Sequence, residues 1–270
     1  QLVQRLQRER GASCIYLASQ TQRFAEVRHQ AVNEALLHEE KLRQVFSAQM
    51  DPAQGTSAQT LSLMAWALLG LESLPALRLQ IDRQAMSALD AVAAYSHLIA
   101  GLVELVFHMA DTAGVPSVSR LLVALLHAVQ ATEEAGQERA MGALLYASGH
   151  CQEAHQQRLL HLIDAQERSL RVFGDFAEPA LRARWDELQL APCMAPLERL
   201  RRALCVARPG TALDSDLSHT WFSACSERMD GLWQLQGALV QRLREECDAR
   251  IAHAQQDLQE AAREPKQPAH

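Results

Sequence analysis

Apolar residues recur at helical spacing along almost the whole chain, while the two-residue alternation of a half-buried strand is nearly absent. That periodicity restricts the chain to packed helices. Composition agrees: aromatics are only 5%, and the 48% apolar content is mostly Leu and Ala. Ala and Leu lose little side-chain entropy in a helix, whereas strands favour β-branched and aromatic residues. At 270 residues the chain can form one large domain or two modest ones with a sizeable core.

Cap and turn signals predict helices over about 2–19 and 24–48, then a loop over 51–59. Two shorter helices, about 60–71 and 77–86, are separated at Pro75. Ser87 caps a helix over 88–110 that stops at Gly114-Val115-Pro116, and Ser117 opens another through Tyr146. Helices follow over about 150–172, 180–190 and 197–206, and the loop Arg208-Pro209-Gly210-Thr211 precedes a last long helix reaching Ala262. On it Leu217, Trp221, Cys225, Met229, Leu232, Leu239, Leu243 and Ile251 maintain one apolar face, suited to packing on partners and moving as a rigid body. Residues 1–262 thus hold all the expected helices, and 263–270 read as a linker.

The net charge of −6 argues against holding nucleic acid by bulk electrostatics. Cys14, Cys151, Cys193, Cys205, Cys225 and Cys247 are scattered without a C-x-x-C pair, which reads as reduced thiols of a cytoplasmic protein. No signal peptide is read, and no membrane span is expected: the longest apolar stretch, 91–110, is interrupted by His97, Glu104 and His108.

Two helical stretches carry the same irregularity. Leu6-Gln7-Arg8-Glu9-Arg10-Gly11-Ala12-Ser13 and Glu134-Ala135-Gly136-Gln137-Glu138-Arg139-Ala140 both set a Glu-Arg dipeptide beside small residues. A mid-helix Gly costs about 1 kcal/mol relative to Ala, so each calls for a packing or functional reason. Small residues let two helices approach closely, and the adjacent Arg is then drawn out of water. A buried guanidinium needs a partner, and a flat oxyanion fits its planar fork. Arg199, near a helix start after Pro196, and Arg228, on the last helix, are further candidates. In the plainer reading Glu9 and Glu138 neutralise their neighbours, Arg199 belongs to a solvated basic face with Arg201 and Arg202, and Arg228 forms an exposed ion pair. Neighbouring helical residues point about 100° apart, which weakens the pairing of Glu9 with Arg10 and of Glu138 with Arg139.

Signals of catalysis are poor. Cys151 and His155 could share a helix face as half of a zinc site, but no complementary pair stands out, so no metal and no cofactor are expected. Nucleotide-binding, hydrolase and metalloprotease motifs are absent.

The first Glu-Arg stretch, followed by Tyr16-Leu17-Ala18-Ser19, resembles the opening motif of the NIT (nitrate- and nitrite-sensing) domain. Glu133-Glu134-Ala135-Gly136-Gln137-Glu138-Arg139-Ala140 resembles its central motif, and Tyr95-Ser96-His97-Leu98-Ile99 and Trp221-Phe222 with Glu227-Arg228-Met229-Asp230 are also similar to it. The likeness runs over nearly the whole chain. It implies an all-α sensor of two packed four-helix bundles with a long C-terminal output helix, binding nitrate or nitrite through arginines. Carried onto matching positions, these are Arg10 and Arg139, with Arg199 and Arg228 less distinctively placed. Some NIT domains sit between membrane segments of receptors. Others are cytosolic and precede an ANTAR domain, an RNA-binding module of transcription antitermination. The scattered cysteines and the lack of apolar flanks favour the second setting. The resemblance implies a homodimer that touches RNA only through an effector beyond His270. The alternative is a helical dimerisation or scaffold module with structural arginine pairs and no ligand.

Overall fold

In the computed structural model, residues 1–19, 25–112 and 115–263 are described. The helical periodicity becomes α1 (Leu2–Ser19), α2 (Ala25–Gln49), α3 (Ala58–Asp82), α4 (Ala88–Thr112), α5 (Pro116–Ala147), α6 (Glu153–Phe176), α7 (Pro179–Gln189), α8 (Met194–Val206) and α9 (Leu217–Arg263). Among the described residues there is no strand, only an isolated bridge between His150 and Ala212. The fold is all-α. Of the expected linker over 263–270, Arg263 still belongs to α9 and the rest lies outside the described residues, as does the expected break at Gly114.

Local signals explain most boundaries. Ser57 caps α3 by accepting from the Thr60 amide at 3.1 Å, and Ser87 does the same for Asp90 before α4. Pro116 opens α5 after an extended Val115, where its missing amide proton costs nothing. Pro75, expected to separate two helices, instead lies inside α3. The correction has a packing cause. Met64, Ala67, Leu71, Leu74 and Ile81 form one buried face that continues across the proline, and Pro75 itself faces solvent. Burial of that face outweighs one lost backbone hydrogen bond.

Helices α1 to α4 enclose a first core built on Leu6, Phe46, Leu71, Leu74, Ile81, Tyr95 and Ile99. Helices α5 to α9 enclose a second. There α8 packs with Leu145, Tyr146 and Trp221 at one end, and α7 packs with Leu121, Phe173 and Leu235 toward the other. The short α7 and α8 thus succeed one another along the side that a single long helix would occupy. The two bundles meet where α5 packs on α4 and α1. Forty-seven residues make α9 roughly 70 Å long. Residues 248–260 are all exposed, so the helix runs on past the bundle.

One expectation is corrected by composition. By length and apolarity α3 and residues 88–108 of α4 could each cross a membrane, because the mean hydropathy of α4 stays high despite His97 and Glu104. Here one face of each is built into the first core, and α3 carries the buried Arg78 there. The six cysteines are free thiols, with Cys151, Cys193 and Cys225 buried and Cys205 exposed.

Arg78 clamps the first bundle. It donates to Glu9 of α1 and, at 2.5 Å, to Glu39 of α2, with all three side chains buried. Arg78→Met strands two buried carboxylates and is expected to cost about 3–5 kcal/mol in urea unfolding. Arg5→Ala, which opens the half-exposed pair with Glu34, is expected to cost less than about 1 kcal/mol. Equal losses would show that the buried cluster is not what holds α1, α2 and α3 together.

Candidate functional site

Glu9 and Arg10 leave α1 about 100° apart, and so do Glu138 and Arg139 on α5. Each glutamate turns into its own bundle. Glu9 accepts two parallel hydrogen bonds from Arg78, both 2.8 Å, and a third from the Tyr95 hydroxyl at 2.6 Å. Burial and the neighbouring Glu9 charge push the Tyr95 hydroxyl far up, which keeps it a donor. Glu138 accepts two parallel bonds from Arg201 of α8, both 2.7 Å, and one from Gln166 of α6 at 2.7 Å. The glutamates are therefore occupied by arginines of other helices. They do not serve as the counter-charges of the arginines beside them.

Those two arginines turn instead into the junction of the bundles, where α1 passes α5. Nη2 of Arg10 lies against Gly136, 2.6 Å from where a Cβ would stand. Nη2 of Arg139 lies against Gly11 and leaves no room for a Cβ there. Each guanidinium fills the space left by the missing side chain of the opposite helix. The glycines thus admit a side chain, where the sequence suggested close approach of two backbones.

The partners of the two differ. Arg10 donates through Nη1 to the Ser96 hydroxyl of α4 at 2.7 Å and to the Glu133 carboxylate of α5. Arg139 donates to the Ser226 hydroxyl of α9 at 2.9 Å and stacks 4.6 Å from the centre of the Phe222 ring. Among the described residues no carboxylate pairs with it. Burial pushes the Arg139 guanidinium down to about 10, with Arg10 adding repulsion in the same direction, so it remains charged at neutral pH.

Glu133 is held by more than Arg10. Ser96, Gln137 and Gln7 also donate to it, at 3.2, 2.9 and 3.2 Å. Burial alone would raise its carboxyl, but the Arg10 charge and these hydrogen bonds hold it below the ordinary carboxylate value. Glu134, one residue on, accepts from the Ser169 hydroxyl at 3.3 Å, and burial pushes it up to about 7.

Of the four arginines expected at a ligand, the structure brings Arg10 and Arg139 together. Arg228 is buried, but in the second core: it donates to Gln166 and stands 3.7 Å from Glu138. Burial and the charge of Arg201 push it down, and its Nε has no partner. Arg199 is exposed on α8, and the buried arginine of that helix is Arg201, where the sequence suggested a solvated face. Arg228, expected as an exposed pair in the plainer reading, is not exposed either. Sequence reasoning missed Glu133, Ser96 and Ser226. All three lie inside or beside the motif-like stretches, but nothing in those stretches says which polar residue faces across the junction. Among the described residues no three of His, Cys, Asp and Glu gather as metal ligands.

Residues 1–244 match the family described as nitrate and nitrite sensing. The chain belongs to the nitrate- and nitrite-sensing family. That family is described by sensing and not by catalysis. The chain is 33% identical over 262 residues to the nitrate regulatory protein of Klebsiella oxytoca, covering 96% of this chain and 64% of that one. The solved structure of the NasR transcription antiterminator is similar with a TM-score of 0.82 at 30% identity, covering 92% of this chain and 66% of that one. The sensing domain therefore spans just under two thirds of the length of each.

A pH dependence follows from Glu134. A carboxyl raised by folding holds its proton more tightly folded than unfolded. Its contribution to stability is present below the ordinary value of 4.5 and fades as pH rises toward about 7. Glu134→Gln removes that loss. The melting temperature of the variant relative to wild type is expected to climb between those pH values and level off above them. A constant offset across the range would place the shift elsewhere.

Proposed function

We propose that this sensing domain binds nitrate or nitrite at the junction of α1 and α5, with Arg10 and Arg139 holding the anion, and passes its occupancy to α9. The observation that carries the reading is Arg139, a buried guanidinium with a hydroxyl and a ring for company but, among the described residues, no carboxylate paired to it. An uncompensated buried charge costs several kcal/mol. A monovalent oxyanion supplies the missing charge and can accept from both planar forks. Relatives named for nitrate regulation and transcription antitermination support the ligand class and the regulatory role.

Transmission rests on what touches the arginines. Ser226 and Phe222 of α9 contact Arg139, and Met229 of α9 lies beside Gly136 where Arg10 sits. An anion that redraws these contacts favours one packing of α9 over another, by no more than its difference in affinity for the two states. The exposed end of α9 then carries the change toward an RNA-binding effector of the ANTAR kind beyond His270, in a cytoplasmic homodimer. The second reading, a scaffold with structural arginines, draws on the pairs Arg10–Glu133, Arg78–Glu9 and Arg201–Glu138. It accounts for those and leaves Arg139 unexplained.

Thermal melting with sodium nitrate separates the two. Binding at a hundred times the Kd stabilises by about 2.7 kcal/mol, a rise of several degrees. Arg139→Met is expected to abolish that rise and to melt above wild type without anion, because an unpaired buried charge gives way to an apolar chain. Arg10→Ala should also lose the nitrate response, and Arg199→Ala should keep it. Nitrate stabilisation of normal size in both Arg10→Ala and Arg139→Met overturns the assignment.

A further inference from the structure

The charges at the junction do not cancel, and the remainder has a definite size. Arg10 and Arg139 bring two positive charges, and Glu133, kept ionised by its surroundings, brings one negative. The neighbouring charges are settled among themselves: Glu9 and Glu39 with Arg78 and Arg43, Glu138 and Glu198 with Arg201 and Arg228, and at the surface Asp230 with Arg8 at 3.7 Å. One positive charge is left over.

We infer that Glu133 sets the charge selectivity of the anion site, fixing it for a singly charged ligand and rejecting doubly charged ones. The inference rests on the nitrate-binding reading above. Glu133 is suited to this because it is a fixed charge. Its Oε1 accepts from Arg10, Ser96 and Gln137 and its Oε2 from Gln7, so donors from α1, α4 and α5 hold it from three sides. A carboxylate bound by four donors does not swing aside when an anion arrives. A singly charged oxyanion brings the group to neutrality. A doubly charged one leaves a net negative charge in a water-poor junction, where charge repulsion is screened far less than in bulk. Positive charge alone does not give this discrimination: without Glu133 the two guanidiniums match a divalent anion better than a monovalent one.

The test compares anions of one shape and different charge. Perchlorate and sulfate are both tetrahedral, and only sulfate is doubly charged. Titration calorimetry of the whole chain with nitrate, perchlorate and sulfate at constant ionic strength gives the selectivity of wild type and two variants. Glu133→Gln keeps the shape and removes the charge. Gln137→Lys keeps Glu133 and sets an ammonium four residues away on the partly exposed flank of α5, where it pairs with that carboxylate. Both are expected to raise the ratio of sulfate to perchlorate affinity at least about tenfold, the effect of one net charge at close range in a partly screened site. Circular dichroism checks that each is folded, and Gln137→Lys decides alone if Glu133→Gln is not. An unchanged ratio in the folded variants, with nitrate still bound by wild type, overturns the inference and leaves the nitrate site standing. Absence of nitrate binding by wild type overturns both.

Discussion

A guanidinium taken out of water does not easily shed its charge, so everything near it must be arranged around what it finds in exchange. In this chain that exchange organises both bundles. Arg78 finds Glu9 and Glu39, Arg28 finds Asp82 and the Arg78 carbonyl, and Arg201 finds Glu138 and Glu198. These clamps close each bundle internally. Arg10 reaches across the junction to Glu133, and Arg139 reaches across it to a hydroxyl and an aromatic face. The device serves both bundles, and among the described residues Arg139 is the buried arginine that no carboxylate pairs with.

Site and scaffold are therefore one structure. Gly11 and Gly136 are conformationally costly in a helix, and each is needed because a guanidinium from the facing helix occupies its side-chain volume. Gly142 serves the same purpose for Trp221, whose indole N–H donates to the Arg139 carbonyl at 3.0 Å and so fixes the backbone from which that arginine departs. Gln7 ties the assembly to α9 on the other side, donating to Glu133 while accepting from the Trp233 indole at 3.2 Å. A change at either arginine is thus felt along α9 through Phe222, Ser226, Met229 and Trp233, four positions on one continuous helix that leaves the bundle at its far end. A long rigid rod whose buried half lines the site is well placed to convert a local rearrangement into a displacement outside it.

Much of this was legible. Local forces set the helix boundaries, and Ser57, Ser87, Pro116 and the Leu/Ala periodicity announce them without help from the rest of the chain. The glutamate–arginine dipeptides beside glycine were legible as anomalies, since a glycine inside a helix needs a reason. What could not be read was the direction of each charge. Glu9 and Glu138 sit next to arginines in sequence and pair with others far away, while Glu133, six residues before the central motif's arginine, pairs with Arg10 across more than a hundred residues. On α8 the difference between exposed Arg199 and buried Arg201 is two positions on a helix, about 200° of rotation, and no local signal distinguishes them.

The sequence by itself determined that the chain is all helix, where most helices begin and end, and that Arg10 and Arg139 stand beside residues small enough to bury them. Those properties depend on backbone preferences and on spacing within one helix. Only the tertiary structure decided that Pro75 lies within α3, that Arg201 is buried in place of Arg199, and that Arg139 is buried with no carboxylate paired to it among the described residues. Each of these depends on which faces meet across the bundle junction, and a buried charge takes its energy from neighbours that the chain brings together only when both bundles have formed.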